Sequence, residues 1–395
     1  MEYRFSDNAD VLKPSAIREI LKLSSAPGII PFSAGNPAPE AFPTDIIGGI
    51  TESLFKTDPI GMLQYSVTEG YMPLRNYVKD YMAKKYRTGS DDDEVLITCG
   101  AQQVMSLAAL SFCQKGDAII CESPSFVGSI NALKLSGAEL VGIPMQQDGM
   151  DIAALENELS TRKNVKLIYI IPNFQNPTGI TTSEEKRKQI YALACKYNVL
   201  IIEDNPYGDL YFKNPPPATI KSIDTENRVI YAGSFSKVLS PGLRIGYAIA
   251  GKPIIAKFTA LKQTQDVHSN ILAQHICYKF MSEHDFEGHL NNLRDIYTKK
   301  AKLALDLAEE YLSDTVTYTK PDGGLFMWCT LPDSIDMTAF VKKALEYMVA
   351  VVPGTAFLTD AAIACNSFRI NYSTPTDDEL KRGFAALKQA LDTFK

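Results

Sequence analysis

The chain has 395 residues, of which 45% are hydrophobic and 22% charged, and its formal net charge is −6. This composition is typical of a folded globular protein and excludes a mostly disordered chain, and the length favours one large domain with a smaller one. The acidic balance argues against a nucleic-acid-binding protein, because such proteins need a basic surface.

The N-terminal segment and the cysteines indicate the cellular location of the protein. The first seven residues contain no apolar h-region, so no secretory signal is predicted, and no apolar run approaches the ~18 residues that span a bilayer. Seven cysteines are scattered along the chain without a CxxC pair, which is typical of reduced thiols. We therefore expect a cytoplasmic protein with no membrane partner. The histidines and cysteines lack metal-ligand spacing, and no metal site is predicted.

Short apolar runs alternate with helical patterns through the middle of the chain. The runs that predict strands are 95–98, 118–121, 167–171, 199–202, 229–231 and 245–249. Helical patterns follow at 102–114 and 126–135, and a third begins at a capping box over 182–185. Continuous apolar strands separated by helices predict an α/β fold with a largely parallel sheet covered on both faces. The acidic run 91–94 is interpreted as a solvated loop.

Beyond about residue 285 the pattern changes. A long helical stretch is followed by two strand-like segments, 323–328 and 367–372, which are typical of a smaller α+β domain. We therefore predict a large domain over 36–285 and a smaller domain that contains 286–395.

Polar residues stand directly after the predicted strands. They are 100–102, 173–179, 204–207 and 233–237, with Arg244 just before the last strand. Ligands of an open α/β sheet bind outside the carboxyl ends of its strands, so we expect these residues to converge on one edge. A helix N-terminus, an amide, a carboxylate, a phenol, two serines, a lysine and an arginine together suit a phosphorylated aromatic aldehyde.

These motifs resemble those of fold-type I pyridoxal-phosphate (PLP) enzymes. Within that group the chain resembles the class I/II aminotransferase family, and in it the aminoadipate/kynurenine aminotransferase-like branch. The matches cover nearly the whole chain and are Ser33-Ala34-Gly35-Asn36-Pro37, Leu63-Gln64-Tyr65, Asn173-Phe174-Gln175-Asn176-Pro177-Thr178-Gly179, Asp204 with Tyr207, Ser234-Phe235-Ser236-Lys237, Arg244 and Arg369. The resemblance implies transfer of the amino group of an L-amino acid to a 2-oxo acid such as 2-oxoglutarate, by a ping-pong mechanism. It also assigns residues 1–35 to the smaller domain.

The resemblance implies catalytic roles for a few side chains. Lys237 is expected to form the internal aldimine with PLP and then to move the proton between the substrate Cα and the cofactor C4′. Asp204 is expected to keep the pyridine nitrogen protonated, and Asn176 and Tyr207 to hydrogen-bond the ring's 3-oxygen. The alternatives are a surface lysine at 237, a helix N-cap at 204 and a plain Asn-Pro turn at 176.

The remaining cofactor contacts are expected at the phosphate and above the ring. The helix start at Gly100, Ala101 and Gln102, the hydroxyls of Ser234 and Ser236, and Arg244 are expected to bind the phosphate. Phe126 is expected to stack on the ring. Tyr65 resembles the tyrosine that reaches the phosphate from the neighbouring subunit, which implies a homodimer with shared active sites.

The substrate contacts are expected at both ends of the chain. Arg369 is expected to hold the α-carboxylate bidentately, and the alternative is a structural ion pair. Gly35 and Asn36 are expected to line the carboxylate end, although the branch reads Gly-Gly-Leu-Pro where this chain reads Ala34-Gly35-Asn36-Pro37. Arg18 resembles an arginine that lies over the substrate side chain and would favour a distal carboxylate. Its alternative is an exposed helix face.

Two other functions use the same scaffold. PLP-dependent lyases and decarboxylases share the fold and the lysine, so the type of reaction rests on the resemblance. A family of regulators carries an aminotransferase-like module behind a winged-helix DNA-binding domain. The acidic charge and a start directly at the aminotransferase arm argue against this second alternative.

Overall fold

The computed structural model describes residues 3–6, 27–360 and 363–395. Its helices are α1 (Thr44–Thr57), α2 (Met72–Tyr86), α3 (Ala101–Phe112), α4 (Val127–Lys134), α5 (Ile152–Thr161), α6 (Glu184–Tyr197), α7 (Lys252–Gln265), α8 (Ile271–Glu283), α9 (Phe286–Tyr311), α10 (Met337–Glu346) and α11 (Asp377–Asp392). Its strands are β1 (Asp93–Thr98), β2 (Ala118–Ser123), β3 (Glu139–Gln146), β4 (Gly149–Met150), β5 (Val165–Ile170), β6 (Leu200–Asp204), β7 (Val229–Ser234), β8 (Gly246–Gly251), β9 (Thr317–Tyr318), β10 (Phe326–Thr330), β11 (Val352–Pro353) and β12 (Ser367–Asn371).

The larger sheet has eight strands in the order β1-β8-β7-β6-β5-β2-β3-β4. Strands β3, β2, β5, β6 and β7 pair in parallel, whereas β8 is antiparallel to both β7 and β1. The predicted α/β fold with a mostly parallel sheet is thereby confirmed. Because β8 is reversed, its first residue lies at the edge where β7 and β1 end, and the register pairs Gly246 with both Ser234 and Thr98.

The smaller sheet has the antiparallel order β11-β12-β10-β9. Its core is formed with α10, α11 and the second half of α9, and Ile30 and Phe32 pack into the same core. The first half of α9 instead packs into the core of the larger sheet through Phe286, Leu290 and Leu293. The long helix therefore belongs to both cores, and the domain boundaries at 35/36 and 285/286 stay a prediction.

The acidic run 91–94 is not a solvated loop throughout. Asp93 is buried at the start of β1, where its carboxylate forms an ion pair of 2.8 Å with Lys221. Lys221 also pairs with Asp224 at 2.9 Å. A charge can be buried only when it is paired, and the partner of Asp93 lies far along the chain, where local sequence gives no sign of it.

Helix α6 begins one residue later than the capping box predicts. Its N-cap is Ser183, whose hydroxyl accepts a hydrogen bond of 3.3 Å from the backbone N–H of Lys186. The third helical residue is therefore Lys186, which cannot return the reciprocal bond of a capping box. No helix in the part of the chain that the structure describes is long and apolar enough to cross a membrane.

Candidate active site

A cavity of about 560 Å³ lies at the carboxyl edge of the larger sheet, against the smaller one. Strands β5, β6 and β7 end at this edge and β8 begins there, which explains why residues from so many segments meet. The predicted site residues that line it are Gly35, Asn36, Ala101, Gln102, Phe126, Asn176, Asp204, Tyr207, Ser234, Ser236, Lys237, Arg244 and Arg369. A second cavity of about 300 Å³ shares Pro206 and Ser234 with it but is not lined by Lys237 or Arg369.

Lys237 follows β7 and turns into the cavity. Its Nζ donates a hydrogen bond of 2.8 Å to the carbonyl oxygen of Gly35. Burial, followed by the positive charges of Arg369 and Arg244, lowers the pKa of Lys237 to about 8. At pH 7 about one-tenth of such amines are neutral, far more than for an ordinary lysine, and the neutral amine is the form that attacks a carbonyl carbon.

Asp204 ends β6 at the floor of the cavity. Its Oδ2 accepts a hydrogen bond of 2.8 Å from the hydroxyl of Tyr169, whereas its Oδ1 is buried and has no hydrogen-bond partner. Burial raises the pKa of this carboxyl group to about 7, and the bond from Tyr169 partly opposes the rise. A buried carboxylate oxygen without a donor is unfavourable, so the position suits a cationic N–H such as that of a protonated pyridine ring.

A cradle for an anion lies at the start of α3. The first N–H groups of a helix have no intrahelical acceptor, and the helix dipole adds positive charge there. Gly100 has a φ of +71°, and a Cβ at this position would lie 2.4 Å from Nη2 of Arg244. A Cβ at Gly246 would lie 2.6 Å from the backbone nitrogen of Ala101. Two glycines therefore keep the helix start and the Arg244 guanidinium open to one anion, as a phosphate would require.

Asn176 and Tyr207 lie together in the cavity wall. The side-chain amide of Asn176 donates to the Tyr207 hydroxyl at 3.4 Å. Burial raises the pKa of Tyr207, so the phenol is a protonated donor at neutral pH. Phe126 precedes α4 and lines the same cavity. An amide, a phenol and an aromatic face thus meet where a substituted aromatic ring would be held.

Arg369 projects from the middle of β12 and is only 5% exposed. Its Nη1 donates to the Asn176 side-chain oxygen at 2.9 Å, and its Nη2 donates to the carbonyl oxygens of Ser33 and Ala34, each at 2.9 Å. Burial lowers its pKa to about 10, so it remains charged. None of these partners is a carboxylate, and the cation therefore retains the capacity to bind an anionic substrate.

Two buried residues that sequence reasoning missed hold the turn that carries Asn176. Arg187 donates through Nε to the carbonyl oxygen of Thr182 and through Nη2 to that of Pro172, at 2.9 Å each. Glu122 accepts hydrogen bonds from the backbone of Ile171 and the side chain of Gln175. Arg187 lies within an ordinary charged helix pattern, which gave no signal of its role. Glu122 interrupts the end of an apolar run, which could have marked it.

Of the predicted site residues that the structure describes, two are not among those that line the cavity. Gly100 lies beside it, in contact range of Arg244. Tyr65 is 80% exposed and its ring contacts that of His268 at a centroid distance of 5.8 Å. Arg18 lies outside the described residues, so its predicted role stays a prediction.

Comparison with known proteins gives consistent matches over nearly the full chain. The family model for aminotransferase class I and II matches residues 27–387. Aromatic-amino-acid aminotransferase 1 of Thermococcus litoralis is 37% identical over 99% of this chain and 94% of its own. The 2-aminoadipate transaminase of Thermus thermophilus is 35% identical over 98% of this chain and 96% of its own. The crystal structure of Pyrococcus horikoshii kynurenine aminotransferase superposes with a TM-score of 0.95 at 34% identity, covering 98% of this chain and 97% of that one.

Proposed function

The chain belongs to the class I and II aminotransferase family and is a PLP-dependent transaminase, and from this premise we propose that the 560 Å³ cavity is its active site. The observation that carries the proposal is the buried, unpartnered Oδ1 of Asp204, a residue that lines the same cavity as Lys237 and Arg369. Bound PLP supplies an aldehyde that condenses with amines and a protonated ring that takes up the electron pair released when a Cα–H bond breaks.

We propose that the two ends of the cofactor are held by opposite charges. Asp204 would hold the ring N–H through Oδ1, while its Oδ2 keeps the bond to Tyr169 that fixes the carboxylate. At the other end the N–H groups at the start of α3, the hydroxyls of Ser234 and Ser236, and Arg244 would bind the phosphate. Residues that hold both ends would fix the orientation of the cofactor relative to Lys237.

Lys237 would act as the proton carrier between the two reacting carbons. Its lowered pKa, which follows from burial and two neighbouring arginines, lets its amine accept a proton near neutral pH and give it up again. Arg369 would hold the substrate carboxylate so that the Cα–H bond points at Lys237 Nζ. Asn176 contacts Arg369 as well as Tyr207, and would therefore link the position of the carboxylate to that of the ring oxygen.

The amino donor is proposed to be a large L-amino acid, with 2-oxoglutarate as acceptor. The cavity wall near Arg369 includes the apolar side chains of Pro31, Val352 and Phe357. Such a wall suits an aromatic or long aliphatic side chain, and relatives are named for aromatic amino acids and for 2-aminoadipate. If Arg18 lies over the substrate side chain, donors with a distal carboxylate would be accepted as well.

Mixing the holoenzyme with one amino acid and no acceptor tests the reaction type. A transaminase should form one equivalent of 2-oxo acid and one of pyridoxamine phosphate per active site and then stop, and added 2-oxoglutarate should restart it. Product and cofactor can be quantified by chromatography across a panel of donors. Continuous carbon dioxide release, or product without pyridoxamine phosphate, would instead identify a decarboxylase or a lyase.

A homodimer with shared sites is proposed from the surface around Tyr65. Ile60, Leu63, Val67 and Met72 are all more than half exposed in the single chain, and they lie within a few residues of Tyr65. Several large apolar side chains exposed within one short segment commonly mark a protein interface. Its burial against a second copy would bring the Tyr65 hydroxyl to the phosphate end of the neighbouring cavity.

Hybrid dimers test this arrangement. Tyr65→Phe should weaken PLP binding, and Lys237→Ala should abolish turnover. If Tyr65 acts across the interface, a hybrid of these two variants carries both lesions in one site and leaves the other intact. Subunit exchange, verified by mass spectrometry, should therefore restore one wild-type-like site per hybrid at limiting PLP. Hybrids that show only the weakened cofactor affinity of Tyr65→Phe would mean that Tyr65 serves its own subunit.

We propose a cytoplasmic location because the cysteines are free thiols. All seven cysteines are free in the structure, and three of them are buried within the cores. Free cysteines in this number are typical of a reducing compartment.

A further inference from the structure

The donors of Arg369 are largely occupied before any substrate binds. A planar guanidinium can hold a carboxylate bidentately through its two Nη groups or through Nε with Nη2, so both arrangements need Nη2. Here Nη2 donates to the carbonyl oxygens of both Ser33 and Ala34. The N–H of Nε is buried and has no hydrogen-bond partner. In this arrangement Arg369 offers a carboxylate the free Nε–H and the second N–H of Nη1, whose other N–H donates to Asn176, but no bidentate grip unless a carbonyl group withdraws.

A second unused polar group lies beside it. Ser33 is 1% exposed and lines the active-site cavity, and its Oγ is buried without a hydrogen-bond partner. Because the carbonyl group of the same residue is bonded to Arg369, the hydroxyl belongs to the immediate surroundings of the guanidinium. A buried hydroxyl without a partner is unfavourable, and here a ligand in the cavity can satisfy it.

Ser33 is also fixed in place from both sides. The preceding carbonyl oxygen, of Phe32, accepts a hydrogen bond of 2.8 Å from the backbone of Asn371. The carbonyl oxygen of Asn36 accepts from the hydroxyls of Ser373 and Thr374 at 2.7 and 2.9 Å. A hydroxyl on a segment held at both ends loses little freedom when it binds a ligand, which favours affinity.

We propose that Ser33 is a second ligand of the substrate α-carboxylate, its Oγ–H donating to one carboxylate oxygen while Arg369 Nε–H donates to the other. The inference rests on the proposed function, since it concerns how that site holds its substrates. Amino donors and 2-oxo acceptors both carry this carboxylate, so Ser33 contributes to both half-reactions. It acts on binding and takes no part in proton transfer.

The test compares Ser33→Ala with wild type as holoenzymes. The probe is 3-phenylpropanoate, which carries a carboxylate but no amino group and can be titrated through the visible spectrum of bound PLP. Loss of a hydrogen bond to a charged group should raise its dissociation constant about tenfold or more. The KM values for amino donor and 2-oxoglutarate should rise by a similar factor, with kcat within about threefold and PLP affinity unchanged. Ser111→Ala is the matched control, because its Oγ is likewise buried and unpartnered but lies in α3, outside the cavity lining.

The outcomes separate the possible errors. An unchanged dissociation constant in Ser33→Ala would overturn the inference. It would mean that a carbonyl group of Ser33 or Ala34 withdraws from Nη2 when substrate binds, so that Arg369 holds the carboxylate without Ser33. A parallel loss of PLP affinity would overturn it too, since Ser33 would then be structural. If Ser33→Ala does not fold, Ser33→Cys, which keeps the volume and weakens the donor, serves for the same titration. A wild-type protein that binds no PLP would contradict the proposed function itself.

Discussion

Lys237→Ala should lower transamination by about 10⁴-fold or more, the largest effect that we expect from any single substitution. The substitution removes the amine that both binds PLP covalently and carries the proton. Acid–base catalysis alone contributes about 10²–10⁴-fold to an enzymatic rate. PLP should still bind, because Asp204, Arg244 and the start of α3 are untouched. Turnover is measured with saturating donor and 2-oxoglutarate, and PLP content by absorbance after denaturation.

A surface lysine provides the control for this substitution. Lys257 is exposed on α7, and Lys257→Ala should leave turnover within about twofold. Near-normal turnover in Lys237→Ala would show that another base moves the proton and would remove Lys237 from the mechanism.

Asp204→Asn should lower kcat by on the order of 10²-fold or more. The amide keeps the shape and can still accept the hydrogen bond from Tyr169, but it cannot hold a proton on the ring nitrogen by charge. The KM for the amino donor should change little, because the loss appears mainly when the electron pair is released into the ring. Steady-state kinetics over several donors measure the two constants separately.

A pH-dependent stability measurement distinguishes this loss from misfolding. Burial raises the pKa of Asp204 to about 7 in the cofactor-free fold, above its value of about 4 in an unfolded chain. The carboxyl group therefore destabilises the cofactor-free wild type progressively as pH rises from about 4 to about 7, whereas the amide of the Asp204→Asn variant does not titrate. Cofactor-free Asp204→Asn should be at least as stable as wild type at pH 8 by thermal melting. A lower Tm at pH 8 together with the lost kcat would indicate a structural defect.

The convergence of the site was predictable because it follows from sheet geometry. Parallel strands end at one edge, so Asp204 after β6 and Lys237 after β7 had to meet once each apolar run was recognised as a strand. Arg244 lies at the same edge because β8 is antiparallel, so the start of β8 lies beside the end of β7. The observed strand order confirms the mostly parallel sheet, and the match to the family model confirms the family.

The partners of the site residues were not predictable, because they come from distant segments. Nothing near Asp204 indicates that Tyr169 from the adjacent strand would occupy one carboxylate oxygen and leave the other free. The carbonyl groups on Arg369 come from residues more than 300 positions earlier in the chain. Tyr169 carries a hydroxyl group within the apolar run of β5. Such a polar group was the only sign in the sequence that this strand supplies a hydrogen bond to the site.

The central claim is that Lys237 carries the cofactor, and peptide mapping after borohydride reduction tests it most directly. Reduction of the holoenzyme should bleach its visible absorbance and leave a phosphopyridoxyl group on the proteolytic peptide that contains Lys237, at about one per chain. The same treatment of Lys237→Ala should leave no modified peptide. An adduct on a different lysine, or a holoenzyme whose spectrum does not respond to borohydride, would contradict the account.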